Sequence, residues 1–269
     1  MKSNYFKKIL LSFIVIFLID LFSSLISNQG LDLNVLFWQI ISTFLIVILL
    51  GYYLKHTTIY GMKLVFILFT IYFLTAQFNI LIEAYIFNVT DRTETVSQII
   101  FGFIHSLIIA PLFVIIFDRW KGENNEPQFQ KRSLWGWIWR VLVSILIYLF
   151  LYLLAGFTLQ ATYPQLHEFY AGKIPTFQIM IGTQFLRAPI FFLVAIIIFK
   201  TLNRSNLTKA IYVGLFFAIL GGIAPLIIPN PLMPTNIRLA HLFEVIPSNF
   251  ALGFFLTYLS KQKTIESIP

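Results

Sequence analysis

Arg238 to Leu259 reads R-L-A-H-L-F-E-V-I-P-S-N-F-A-L-G-F-F-L-T-Y-L. From Leu239 onward it is an apolar run of bilayer length, about 20 residues, yet it opens on an ionisable row. In helical register Arg238, His241, Glu244 and Ser248 fall on one face, because residues three and four apart stack above each other. Such a row at the start of a membrane span is costly unless it meets partners or water. The stretch therefore reads as a span that carries polar groups near one end.

The rest of the chain has the same character. Of 269 residues, 58% are hydrophobic, 17% aromatic and 11% charged, with a mean hydropathy of +0.84. A soluble domain carries about 25% charged residues, so this chain could not cover a surface facing water. The net charge of +8 does not point to nucleic acid, because the basic residues are dispersed between apolar runs; loops facing anionic lipid explain them. Cysteine is absent, which excludes disulfides, thiolate nucleophiles and Cys-ligated metals.

The expected fold class is all-α: a polytopic transmembrane bundle of about eight spans, in one integral membrane domain over 1–269. The spans lie near Ile9–Ser27, Val35–Leu54, Leu64–Phe87, Ser97–Phe117, Trp135–Phe157, Thr176–Phe199, Ala210–Ile228 and Leu239–Leu259. The first follows Lys2, Lys7 and Lys8, as a signal peptide would. Its length, its Asp20 and the lack of a small-residue cleavage site favour a retained span. The longest hydrophilic stretch is Asp118 to Ser133. No internal repeat is convincing enough to indicate an inverted-repeat transporter.

Loop charges test the count. With the N-terminus inside, fourteen of the 19 basic residues fall in cytoplasmic segments, and the outer loops hold only Arg92, Lys173 and Arg238. Arg140 and Arg187 fall inside spans. This asymmetry fits eight crossings of the cell membrane with both termini cytoplasmic.

That topology sets depth. Glu83 lies near the outer end of span three, with Asn79 one turn below and Tyr72 and Ala76 continuing its face. His105 lies about 12 Å from the outer surface at 1.5 Å per residue. Thr183, Gln184 and Arg187 sit on span six, and His241 and Glu244 on span eight. Glu83, His105, Arg187, His241 and Glu244 thus share the outer half and are expected to converge on one cavity, with spans five and seven as apolar packing. Pro111, Pro189 and Pro247 follow these residues closely. Each bends its helix and frees the carbonyl four residues back, which suits helices that line a cavity.

Plainer roles stand beside these. Glu83 and Arg187 form a structural ion pair in one reading, and His105 is an ordinary hydrogen-bonded interior histidine. Arg238 is expected to snorkel to lipid headgroups, and Asp20 to bond Ser23 or Ser24. Gly214, Ala218 and Gly222 form a small-residue packing stripe. Outside the spans, the aromatic loop Leu159 to Pro175 is expected to lie over the outer mouth, beside a stiff turn with Pro229, Pro231 and Pro234.

His241 and Glu244, three apart, resemble in spacing the ligand pairs of carboxylate-bridged metal bundles, in reversed order. With His105 and Glu83 they would give two His and two Glu, a set suited to a divalent metal such as Zn. No H-E-x-x-H, G-x-S-x-G, P-loop or G-x-G-x-x-G motif occurs. Three function classes remain. One is an intramembrane hydrolase or transferase acting on a lipid or lipid-linked substrate. There Glu83 or Glu244 is the general base, His105 and His241 are ligands or proton carriers, and Arg187 is an anion clamp. The second is a proton-coupled transporter of a small anionic solute. The third is a non-catalytic membrane component whose polar residues hold the bundle together.

Overall fold

The computed structural model describes residues 2–26, 32–88, 91–125, 127–172, 175–230 and 233–262. Ser27, Lys173, Pro231, Lys263 and the two chain ends lie outside these, as does the side chain of His167. Among the described residues there are nine helices: α1 (Lys2–Ile26), α2 (Leu33–His56), α3 (Gly61–Ile86), α4 (Arg92–Ile116), α5 (Leu134–Thr162), α6 (Gln165–Tyr170), α7 (Phe177–Thr201), α8 (Asn206–Ile227) and α9 (Thr235–Ser260). They contain no strand, only isolated bridges of Thr57 with Leu202 and Asn230 with Met233.

In lipid each backbone N–H must find its acceptor within its own segment, which forces apolar runs of this length into helix. The helix starts are written locally. Asp32, Asp91, Ser133 and Ser205 accept from the first free N–H groups of α2, α4, α5 and α8, as N-cap side chains do. Seven helices, α2 to α5 and α7 to α9, are long and apolar enough to cross a membrane. The chain is thus a multi-pass helical membrane protein. The first expected span forms the 25-residue α1, in addition to those seven.

The helices form two groups. In one, α4 packs on α1, α2 and α3; in the other, α9 packs on α5, α7 and α8. The groups join where α3 meets α7 and where α2 meets α8. Tyr53, Phe113, Phe191, Phe192, Phe216 and Phe217 fill the interior, while Phe66, Phe150 and Phe157 stand exposed on the surface that lipid would cover.

Two helices are interrupted. Phe73–Phe78 of α3 and Ile219–Ile223 of α8 are π-helical turns, and the two touch. In α8 the cause is readable: Pro225 cannot donate to the carbonyl of Gly221, and Asn249 of α9 donates to that carbonyl instead, at 3.1 Å. In α3 the extra residue rotates everything beyond it by about 100°, one residue's share of a 3.6-residue turn. The expected single face of Tyr72, Ala76, Asn79 and Glu83 is therefore broken, with Tyr72 on one side of the break and Asn79 and Glu83 on the other.

The closest helix contact is α8 on α9. A Cβ added at Gly253 would stand 2.5 Å from the Val213 carbonyl oxygen, and one at Gly214 would stand 2.8 Å from that of Phe250. The expected packing stripe on α8 is thus matched by a glycine on α9. Gly253→Ala must push two backbones apart and should destabilise the detergent-solubilised protein by about 1–3 kcal/mol. Gly182→Ala meets nothing within 4 Å and should be neutral or stabilising by up to about 1 kcal/mol. Equal melting temperatures for the two variants would contradict this packing.

Candidate functional site

Arg187 is the focus of a buried polar cluster. It sits on α7 with its side chain 9% exposed and forms an ion pair through Nη1 with Glu83 of α3. The same nitrogen donates to Gln184 at 3.3 Å, and Nε donates to Asn79 at 3.4 Å. The other Glu83 oxygen accepts from Tyr152 of α5 at 3.0 Å, and Tyr148, one turn away, lies 5.6 Å from the guanidinium. Charge in a low-dielectric slab survives only when paired and hydrogen-bonded in this way. The amide nitrogen of Asn79 and the hydroxyl of Thr75, both buried on α3, have no hydrogen-bond partner; such groups accommodate water or a ligand's polar atom.

The second part is a chain of three side chains. Nδ1 of His241 is 3.2 Å from Glu244, and its Nε2 is 2.6 Å from the Tyr170 hydroxyl. With Glu244 ionised, Nδ1 must carry the proton, so Nε2 accepts from Tyr170. Tyr170 belongs to the six-residue α6, which rests on α5 and α9 through an apolar cluster of Leu159, Leu166, Ile237 and Ala240. The aromatic loop thus lies beside these residues as a short helix. Burial, and then the charges of Glu83 and Glu244, push the Tyr170 phenol above its usual value. Tyr148 likewise lies within electrostatic reach of Arg187, Glu83 and Glu244. These two tyrosines thus stand within electrostatic reach of both pairs.

Around Glu244 the facing surfaces of α5 and α9 leave a groove of about 330 Å³. Leu151, Leu154, Ala155 and Leu159 form one wall, Phe243 and Pro247 the other, with the Glu244 and Ser248 side chains at its edge. The groove is apolar except at Glu244, Ser248 and two threonines.

Four of the five expected residues thus fall into two pairs, Glu83 with Arg187 and His241 with Glu244. His105 is not among them. Its Nε2 lies 2.8 Å from Asp20 of α1, whose other oxygen accepts from Gln39 and Thr43 of α2. Tyr72 lies near His105, with ring centroids 6.2 Å apart and the planes tilted by 41°. The π turn explains the separation, since it aims Tyr72 at the α1–α4 side and Glu83 at α7. Among the described residues no three His, Asp or Glu side chains stand together in a way that could hold a metal ion. The donor set His105, His241, Glu83 and Glu244 is not assembled.

Other expectations also change. Arg238 does not snorkel. It is 3% exposed and donates to the carbonyls of Leu226 and Ile227 at 2.9 and 2.7 Å, capping the end of α8 where carbonyls lack helical donors. The Asp20 carboxylate binds His105, Gln39 and Thr43 rather than the serines, although Ser24 donates to its backbone carbonyl. Span five is more than packing, because Tyr148 and Tyr152 reach into the site. Their sequence signal is the spacing of four, which puts two hydroxyl-bearing rings on one face of an otherwise apolar helix.

If the ion pair anchors the site, Glu83→Gln strands a buried guanidinium and should destabilise by about 3 kcal/mol, the lower end of the range for a broken buried pair. The Glu83 side chain is 26% exposed, which limits the effect. Adding Arg187→Gln should restore part of the loss. A double-mutant cycle read by thermal unfolding in detergent measures the coupling, and additive losses would show that the pair contributes nothing.

Set against protein-family models, curated proteins and solved structures, the chain matches none.

Proposed function

We propose that this protein is an intramembrane enzyme, a hydrolase or transferase that acts on a lipid or lipid-linked substrate in the outer half of the bilayer. The observation that carries the reading is the apolar groove between α5 and α9, whose lining includes Glu244, the partner of His241. An acyl or prenyl chain fits such a groove, and the polar end of the same molecule would then lie beside His241. Catalytic roles follow from the geometry. His241 is the general base or acid at Nε2, and Glu244 holds its tautomer through Nδ1. Tyr170 occupies Nε2 until a substrate hydroxyl or water displaces it. Glu83 and Arg187 supply fixed charge beside the reacting group, with the Arg187 guanidinium facing an anionic headgroup.

His241→Ala and Glu244→Gln should each reduce turnover at least 100-fold, given what a positioned acid–base group contributes, about 10²–10⁴. The readout is the lipid profile, by mass spectrometry, of membranes holding wild type or variant at equal abundance. A species consumed by wild type and spared by both variants supports the reading. Identical profiles count against it.

The Asp20–His105 pair favours a second reading, proton-coupled transport of a small anionic solute, because it places another proton-holding group inside the bundle. Proton uptake by proteoliposomes that is lost in Asp20→Asn, with unchanged lipid profiles, would select it.

The proposed topology has eight spans, with both termini and the Asp118 to Ser133 loop cytoplasmic. Lys8 meets Phe117 and Asp118 while Asp20 meets His105. This supports α1 running antiparallel to α4 for about 18 Å, as a membrane-crossing helix would. The chain lacks cysteine, so a single Glu123→Cys can be labelled without background. A membrane-impermeant maleimide should leave it unlabelled in intact cells and label it after permeabilisation; labelling from outside reverses the orientation.

A further inference from the structure

At the end of the bundle away from Glu244, three chain segments are stitched into a second site. Thr201 follows Arg187 by fourteen residues of α7, about 21 Å along the helix. Here the loop after α2 donates from Thr58 to the Thr201 carbonyl at 3.2 Å, and Asn203 returns a bond to the His56 carbonyl at 2.9 Å. The loop after α4 joins them, with Asn125 bonding the Thr58 carbonyl at 3.2 Å and Gly61 bonding the Arg119 carbonyl at 2.8 Å. Gly61 has φ +65°, and a Cβ at Gly122 would stand 2.4 Å from the Tyr60 ring. The two loops are therefore pressed together with no room for larger residues at these points.

Between them lies an open pocket of about 310 Å³ whose lining includes Lys55, His56, Thr58, Arg119 and Arg204. Among the described residues no carboxylate lines it. Lys55, Arg119 and Arg204 all stand within electrostatic reach of His56, so three cations share one concavity. Arg119 is oriented rather than loose: it donates to the Lys55 carbonyl at 3.1 Å and lies 4.6 Å over the Tyr60 ring. The Thr58 hydroxyl is buried without a partner. Basic residues at loop ends are ordinary in membrane proteins, but those charges point into water. Gathering three around a rigid pocket, beside an unused hydroxyl and with no counter-charge among the described residues, is unfavourable until an anion enters.

We propose that this pocket binds a phosphate group, with Arg119 and Arg204 as guanidinium forks, Lys55 as a third charge and the Thr58 hydroxyl as a neutral donor. Guanidinium geometry matches phosphate oxygens in pairs, and the volume admits a phosphoryl group together with part of what carries it. The carrier is either a phospholipid of the adjacent leaflet or a soluble phosphate compound. The site shares no residue with the groove at Glu244.

The test uses the full chain, titrated with pyrophosphate in neutral detergent by calorimetry. It is also placed in nanodiscs of phosphatidylcholine with 10% phosphatidic acid, and the bound lipid is counted by native mass spectrometry. Saturable pyrophosphate binding that weakens at least tenfold in Arg204→Gln supports a soluble phosphate. Phosphatidic acid retained over phosphatidylcholine in wild type, and not in Arg204→Gln, supports a headgroup. Among the described residues the Arg204 side chain bonds only its neighbour's carbonyl, that of Asn203, so this variant spares the fold; a melting curve checks that, and Thr58→Val gives a second, charge-neutral variant with a several-fold loss expected. Lys121→Gln removes the same charge outside the pocket and should leave binding unchanged. Absence of binding to both probes overturns the proposal, as does an equal loss in Lys121→Gln.

Discussion

A guanidinium inside an apolar slab must be neutralised where it stands, and that requirement organises this protein. Arg187 of α7 takes Glu83 of α3 as its counter-charge and Gln184 and Asn79 as further acceptors. Because α3 belongs to one helix group and α7 to the other, the pair fixes how the groups meet. Glu83 then has an oxygen left over, which accepts from Tyr152 of α5. One buried charge thus recruits three helices. Replacing all of these by hydrocarbon could leave the bundle as stable, since buried ion pairs often do no better than well-packed apolar residues. What a hydrocarbon core would lack is a buried polar cluster within electrostatic reach of Tyr148 and Tyr170.

The π turn in α3 divides the labour of that helix. A regular helix would carry Tyr72 and Glu83 on one line and draw His105 towards Arg187. The inserted residue rotates them apart, so two polar clusters form on opposite sides of α3. One is Asp20–His105 with Gln39 and Thr43; the other is Glu83–Arg187 with its tyrosines. The π turn in α8 touches that of α3, and each widened turn is accommodated where the two groups join. A wide turn costs hydrogen-bond geometry. Here the cost in α8 is offset by Asn249, which donates to the carbonyl that Pro225 leaves free.

Much of this was legible in the residues. Composition and run length placed the chain in a membrane, and Asp32, Asp91, Ser133 and Ser205 mark helix starts by their chemistry. The pairing of His241 with Glu244 follows from a spacing of three on one helix, and that of Glu83 with Arg187 from shared depth and opposite charge. What could not be read depends on contacts between distant segments. Arg238 at a helix start looks like an interfacial residue until α8 is seen to end beside it with bare carbonyls. Asp20 beside two serines has local partners available, and only the approach of α4 supplies a better one in His105. The π turn of α3 has no proline or glycine within Phe73–Phe78 to announce it. Spacing arguments that run through it, such as the single face of Tyr72, Ala76, Asn79 and Glu83, were bound to fail there.

Tyr170 ties the outer segment to the interior. It is held by α6, a helix too short to be stable alone and kept in place by Leu166 against Leu159, Ile237 and Ala240. Its hydroxyl occupies the one nitrogen of His241 that faces away from Glu244. The same imidazole is therefore fixed on one side by a carboxylate from its own helix and covered on the other by a group that can leave. A substrate tail in the groove between α5 and α9 would reach Glu244 from the lipid side, whereas its polar end would meet His241 only by taking the place of Tyr170. In the proposed function, binding of the tail and exposure of the base would fall to different parts of the structure, and a molecule with both an apolar chain and a hydrogen-bonding head would satisfy the two at once.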